Sequence, residues 1–230
     1  MRCMRLDSVP GVRIDVRQSA RARRLSLRVS NLDGRVTLTL PTGVSLRVAQ
    51  DFAAKKANWI ARAVERRPCP IPVDFGAEIP VEGKPHMIVR GSGSTARFAE
   101  GAIEAPEGPA APAVMALLKE LARERLVAAA ERHSRAVGKE FRQLTLKDTR
   151  SRWGSCSAEG NLMFSWRLIM SPPGVLDYVA AHEVAHLRHM DHSSAFWSVV
   201  RTVCPEYQAS RGWLRREGAG LHRYRFSSGD

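Results

Sequence analysis

The decisive stretch of the chain is residues 175–188, Val-Leu-Asp-Tyr-Val-Ala-Ala-His-Glu-Val-Ala-His-Leu-Arg, which follows two prolines and a glycine and is predicted to form one helix. Its two histidines, His182 and His186, are four residues apart and therefore lie one above the other on the same helix face. Two imidazoles in this arrangement can share a metal ion. Glu183 is displaced sideways by one residue, so that it can reach a water on the metal instead of the metal itself. The pattern predicts a zinc-dependent hydrolytic site with Glu183 as the catalytic general base.

The third protein ligand must come from beyond this helix, because a third histidine on the same straight helix cannot close a tetrahedron. His192 lies six residues after His186, and this H-x3-H-x5-H spacing is the one that metzincins use, with a glycine three residues after the second histidine to permit the turn. Here that position is His189, so we expect a turn of different geometry. The alternatives are Cys156, upstream as in peptide deformylases, and Glu206, downstream as in gluzincins. We predict one tetrahedral zinc ion per chain, with His192 as its third ligand.

Three further residues are candidates for roles beside the metal. Tyr178 precedes His182 by four residues and could donate a hydrogen bond to a developing oxyanion, although a core tyrosine bonded to the backbone is the alternative. Arg152 could contact the oxyanion or a substrate carboxylate, or could pair with a structural acid. Asp191 could accept a hydrogen bond from a ligating imidazole, or could cap a turn.

The first third of the chain reads as strands followed by a helix. Alternating apolar runs at residues 25–29 and 36–40 flank an Asp-Gly pair, which is a strong hairpin signal. Ser45 can cap a helix over about residues 46–66. The apolar stripe of that helix, which is predicted to face the core, consists of Val48, Phe52, Trp59, Ile60 and Val64.

The remainder reads as an α+β arrangement. A Pro-rich and Ala-rich linker is predicted over residues 105–113, a helix over about 114–137, and a second hairpin around the turn at 158–161. We therefore predict the α+β class: a smaller basic, β-rich N-terminal part with one helix over residues 11–105, and a zincin-like metallopeptidase domain that contains the HExxH helix over residues 106–226.

The charge of the chain is high and uneven. The net charge is +13, and residues 1–67 hold 15 Lys and Arg against 5 Asp and Glu, a net of +10. Such a region could bind nucleic acid or an acidic surface, although a solvated arginine-rich face is the alternative. No run of apolar residues is long enough to span a membrane, no secretory signal is evident, and four cysteines without CxxC spacing suggest reduced thiols. A cytoplasmic location is the expectation.

Motifs across nearly the whole chain resemble the YgjP-like metallopeptidases. The matching segments are residues 23–29, 56–60, 151–157 (Ser-Arg-Trp-Gly-Ser-Cys-Ser), 166–168, 177–179, 182–187 and 192–197. That family is similar to the zincin proteases of the SprT and WLM groups, some of which digest proteins crosslinked to DNA. The resemblance implies that His182, His186 and His192 are zinc ligands and that Glu183 is the catalytic base. It also implies that residues 162–170 form an edge strand beside the cleft, where an extended peptide could pair with the sheet.

The leading hypothesis is a zinc metallopeptidase that acts on peptide or protein substrates. Zinc endoribonucleases related to YbeY use the same histidine spacing, and a strongly basic chain would suit RNA, but their motif lacks a glutamate after the first histidine. The third hypothesis is a non-catalytic, zinc-bearing module that binds nucleic acid. The presence of Glu183 favours peptide hydrolysis over the ribonuclease, and it argues against a non-catalytic module because a site kept only for structure would have no need of a general base.

Overall fold

The computed structural model describes residues 2–6, 9–30, 34–65 and 69–227, and its chain divides into two compact units, Met1–Cys69 and Pro70–Asp230. Helices and several small sheets occur together, which confirms the predicted α+β class. The boundary between the two units falls after residue 69, whereas the sequence analysis divided the chain at 105/106. Residues 70–105 form strands whose buried side chains share one apolar core with the helices that follow, so they belong to the second unit.

The first unit is one four-stranded sheet covered by two helices. Its elements are β1 (Arg2–Arg5), β2 (Arg13–Ser19), β3 (Ser26–Val29), β4 (Val36–Pro41), α1 (Leu46–Lys55) and α2 (Ala57–Glu65). The sheet order is β1-β2-β4-β3, and the antiparallel β3–β4 pair confirms the first predicted hairpin, whose tip at 31–33 lies outside the described residues. The core contains every second residue of β4, because successive side chains of a strand point to opposite faces.

The predicted helix over 46–66 is two helices, since α1 ends at Lys55 and α2 begins at Ala57; residue 66 lies outside the described residues. Ser45 caps α1 as expected, and its hydroxyl accepts a hydrogen bond from the Val48 N–H at 3.4 Å. The predicted core stripe is wrong at Val48 and Trp59, which are 49% and 48% exposed. The buried residues of the two helices are three alanines, Ala49, Ala53 and Ala57, together with Ile60 from the predicted stripe.

The second unit is built around one long helix. Its elements are β5 (Ile71–Pro72), β6 (Glu78–Val81), β7 (Lys84–Arg90), β8 (Arg97–Ala99), β9 (Ala102–Ala105), α3 (Ala110–Val137), β10 (Gln143–Lys147), β11 (Gly154–Cys156), β12 (Asn161–Ser165), a 3-10 turn (Trp166–Met170), α4 (Pro173–Ala185), α5 (Ser194–Val203), α6 (Tyr207–Glu217), a second 3-10 turn (Gly218–Arg223) and β13 (Tyr224–Arg225). The helix predicted to begin near 114 begins at Ala110, so the second half of the expected linker is helical. It ends at Gly138, whose φ of 68° suits glycine.

The sheet nearest to α4 has the order β10-β12-β11. The antiparallel β11–β12 pair confirms the second predicted hairpin. The expectation that residues 162–170 form an edge strand is wrong, because β12 pairs with a neighbour on each side and ends at Ser165, where a 3-10 turn begins. The edge strand in contact with α4 is β11. Among the helices that the structure describes, none combines the length and the apolar character needed to cross a lipid bilayer.

Candidate metal centre

Helix α4 carries the first two candidate ligands on one face. The helix begins with Pro173 at its first position, where the missing N–H of proline costs no hydrogen bond. The rings of His182 and His186 lie 5.1 Å apart between centroids, at nearly right angles. This is the neighbourhood that a four-residue separation on a helix produces.

The third histidine reaches this pair because α4 stops at Ala185. The N–H groups of Leu187 and Arg188 donate to carbonyls three residues earlier, which tightens the last turn. His186 Nδ1 lies 2.9 Å from the His189 carbonyl oxygen, so that contact fixes the ring with its Nε2 free to bind a metal. The chain then reverses, and His192 Nε2 lies 3.1 Å from His182 Nε2. As expected, the turn does without glycine, and His189 has no positive φ.

The three histidines fit a zinc ion by their geometry and by their chemistry. One ring nitrogen from each lies within 4.8 Å of the others. Four-coordinate zinc with bonds of about 2.0–2.1 Å separates its ligand nitrogens by about 3.3 Å, close to the 3.1 Å between His182 Nε2 and His192 Nε2. Burial lowers the pKa of His182 to about 3 and also lowers the pKa of His186, so both rings are neutral at pH 7 with a lone pair to donate. The buried Nδ1 of His182 has no partner among the described residues.

The rival ligands of the sequence analysis lie outside this group. His189, Cys156 and Glu206 are not members of the cluster of metal-capable side chains in the described part of the chain. The Cys156 thiol donates to the Ser157 carbonyl, and burial, helped by the charge of Glu183, raises the pKa of that thiol to about 11. In the absence of a metal, a thiol in such surroundings stays protonated at neutral pH.

Of the two roles predicted for Asp191, an acceptor for a ligating imidazole or a cap of a turn, its hydrogen bond is the one of a cap. Its Oδ1 accepts the backbone N–H of Ser193 at 3.2 Å, and no hydrogen bond joins it to an imidazole among the described residues. Ser193 in turn caps α5 through the N–H of Phe196. The two caps fix the chain on either side of the point where His192 turns back to α4.

Glu183 is buried against the edge strand β11. It is 6% exposed, and a Cβ built onto Gly154 would lie 2.6 Å from its Oε1 and 2.6 Å from its Cγ. The carboxylate therefore occupies the space that any side chain at position 154 would need. Burial raises the pKa of Glu183 to about 8, and the positive charge of Arg152 opposes that rise.

The other two candidates differ in their surroundings. Tyr178 is 5% exposed, its ring lies 5.9 Å from the ring of His182, and burial raises the pKa of its hydroxyl. Tyr178 also stacks on Tyr207 of α6 at 6.2 Å. Arg152 is exposed and acts on Glu183 through its charge.

The structure adds an aromatic wall and a cation that the sequence analysis did not predict at the site. The Phe196 ring lies between 4.5 and 4.9 Å from all three histidine rings, and the Trp197 ring lies 5.8 Å from His182 and 6.0 Å from His192. The Arg211 guanidinium stacks 4.6 Å above the Trp197 ring. Nothing in the sequence connected Arg211 to the site, because it lies 19 residues after His192.

Comparison with known protein families agrees with the resemblance seen in the sequence. No curated protein matches the chain. The crystal structure of the metallopeptidase zymogen of Pyrococcus abyssi abylysin is similar with a TM-score of 0.36 and 19% identity, and the match covers 40% of this chain and 95% of that chain. The family described as YgjP-like, metallopeptidase domain, matches residues 23–217. The chain belongs to the YgjP-like metallopeptidase family.

Proposed function

We propose that the chain is a zinc-dependent peptidase in which His182, His186 and His192 hold one metal ion and Glu183 is the general base. The observation that carries the proposal is the convergence of three histidine nitrogens within 4.8 Å of one another. Membership of a metallopeptidase family supports the reaction class, peptide hydrolysis. The lowered pKa values of His182 and His186 support a divalent cation that prefers nitrogen ligands.

Glu183 has the surroundings that a proton-transfer group needs. Zinc bound by three protein ligands supplies a Lewis acid that lowers the pKa of a water in its open position to about 7. The Glu183 carboxylate accepts a proton from the attacking water and returns it to the leaving amine. Burial raises the pKa of Glu183 to about 8, close to neutral pH, where a group can both accept and donate a proton.

Two cations are suited to hold the substrate. Arg152 acts electrostatically on Glu183, and Arg211 is stacked on Trp197, which contacts two of the histidine rings. In the described part of the chain Arg211 has no carboxylate partner, so its N–H groups are free to bind a carbonyl oxygen or a carboxylate of a peptide. If an extended peptide adds to the sheet beside the histidines, the strand that it meets is β11, since β11 is the edge strand in contact with α4.

The direct test replaces the carboxylate and keeps the shape. Glu183→Gln should bind as much zinc as the wild type but cleave a peptide library at least about a hundredfold more slowly, which is the usual scale for a general base. Glu206→Gln is the matched control, because Glu206 is exposed and outside the histidine group, and it should keep full activity. Unchanged peptide cleavage in Glu183→Gln would remove Glu183 from the mechanism. Zinc-dependent RNA cleavage that survives this substitution would favour the ribonuclease hypothesis instead.

A further inference from the structure

Trp59 on α2 is unusual among the tryptophans of the chain. It is 48% exposed, whereas the other four are buried or half-buried. The helix is held to its sheet by Ala57 and Ile60, which are buried, so the Trp59 ring is not needed for that packing. A tryptophan ring left at the surface exposes a π-face on which the ring of a ligand can stack.

The residues around this ring are cationic. Lys55 and Lys56 precede Trp59 by four and three residues, Arg62 follows it by three, and all three are exposed. Arg62 lies on α2 three residues after Trp59, a separation that places their Cβ atoms about 5–6 Å apart, and Lys55 and Lys56 lie at the junction of α1 and α2, directly before the helix that carries the ring. None of the three pairs with a carboxylate among the described residues, whereas Arg13 and Arg35 of the same unit pair with Asp15.

We propose that Lys55, Lys56, Trp59 and Arg62, the Trp59 patch, bind single-stranded nucleic acid, with an unpaired base stacked on the Trp59 ring and phosphates held by the three cations. Aromatic rings between Lys and Arg side chains are the usual means of holding single strands, because every base has a π-face and every nucleotide has a negative charge. The net charge of +10 on residues 1–67 is complementary to such a ligand. This surface is independent of the peptidase chemistry proposed for the second unit.

The ring decides between this ligand and other anionic partners. The base faces of an intact duplex are covered by neighbouring base pairs, so a surface tryptophan can stack only on an unpaired base. The carboxylates of an acidic protein would pair with the cations, but they would not stack on the Trp59 ring. Binding to an anionic membrane would use the exposed Leu46 and Val48 of α1 as well as Trp59, and the lipid-vesicle arm of the test below distinguishes it from binding of a single strand.

The test measures binding of the full-length protein to a fluorescent 20-nucleotide single strand and to a blunt duplex of the same length, at about 50 mM salt. Trp59→Ala should weaken single-strand binding about 5- to 100-fold, the range of one lost base stack, and should leave duplex binding within twofold. Trp59→Phe, which keeps a π-face, should recover most of the affinity. Phe98→Ala is the matched control, because Phe98 is 40% exposed in the second unit, and it should bind like the wild type.

Salt dependence tests the cations. Replacing Lys55, Lys56 and Arg62 by Ala should reduce the slope of log affinity against log salt by about 2, since each phosphate contact on a single strand contributes about 0.7. The control removes the same charge from exposed positions of the second unit, Arg123, Arg135 and Lys139, and should leave the slope unchanged. The proposal is overturned by no binding at about 50 mM salt, by Trp59→Ala binding normally, or by vesicles of anionic lipid or polyglutamate showing the same dependence on Trp59.

Discussion

Substituting Gly154 by alanine should disable the peptidase without touching a metal ligand. The new Cβ would lie 2.6 Å from both the Cγ and the Oε1 of Glu183 and 2.8 Å from its Cδ. Carbon atoms in ordinary contact are about 3.5–4.0 Å apart, so the carboxylate must move by about 1 Å. Gly154 has no positive φ, so the strand itself accepts alanine and the clash with Glu183 is the main effect.

The expected loss follows from that displacement. A misplacement of about 1 Å in a catalytic group costs about a hundredfold in rate, so kcat/KM of Gly154→Ala should fall by about that factor. Overpacking a buried site also costs about 1–3 kcal/mol of unfolding free energy. The zinc content should stay at the wild-type value, because the three atoms nearest to the new methyl group all belong to Glu183 and none to a histidine. The assay is peptide cleavage at saturating zinc, with thermal unfolding to establish that the variant is folded.

Two comparisons separate this reasoning from a general loss of structure. Gly174→Ala is the matched control on α4, because its Cβ would lie 3.7 Å from Ser210 Oγ, an ordinary contact, and it should keep activity within a few fold. In a Glu183→Gln background, Gly154→Ala should cost far less than a hundredfold, because the carboxylate whose position it disturbs is already gone. A folded Gly154→Ala protein that cleaves peptides at the wild-type rate would refute the account, and so would full additivity of the two substitutions.

His192→Ala should lower zinc content measured by mass spectrometry far more than His189→Ala or Cys156→Ser, and the reverse order would favour the deformylase-like ligand set. Replacing the buried Arg167, which donates to a carboxylate and to two carbonyls, by Met should lower the free energy of unfolding in urea by about 3 kcal/mol, whereas a near-zero change would show that these bonds are energetically neutral. Burial lowers the pKa of His222 to about 4 from 6.5. Between pH 6.5 and pH 4 the imidazole is therefore protonated in the unfolded chain but neutral in the folded chain. The free energy of unfolding should fall by up to about 3 kcal/mol as the pH drops from 6.5 to 4. After treatment with a chelator, His222→Gln should lose less unfolding free energy than the wild type over the same pH range. An equal loss in the two proteins would show that His222 is not the source of the pH dependence.

Local patterns predicted most of the secondary structure and the position of two candidate ligands on one helix face. The HExxH spacing placed two imidazoles on one face, and the alternating runs around Gly34 and Gly160 predicted two hairpins, because these signals depend only on neighbours within a few residues. Sheet order was less accessible. Strand β12 is central because β10 pairs with it in parallel, and that pairing joins segments separated by a turn and a second strand.

The exposed Trp59 shows why a helical stripe can mislead. The sequence analysis gave weight to the largest apolar residues of 46–66, and these included Val48 and Trp59. The helices instead bury a line of alanines ending at Ile60, because a small side chain lets the helix approach the sheet closely. Hydrophobicity favours large residues at the core, whereas close packing of helix on sheet favours small ones, and the sequence alone does not say which effect wins.

The turn after α4 explains how a site of metzincin-like spacing forms without the metzincin glycine. A helix that continued past Ala185 would carry His189 further along the same face and away from the metal. Two short-range hydrogen bonds to the carbonyls of Val184 and Ala185 end the helix with ordinary backbone angles, and the His189 carbonyl then lies against His186 Nδ1. The turn over residues 186–189 therefore ends the helix and also supplies the carbonyl that orients a candidate ligand. The position that metzincins assign to glycine needs here only a carbonyl oxygen, which any residue supplies, and this is why the spacing of the histidines was a better guide to the site than the residues between them.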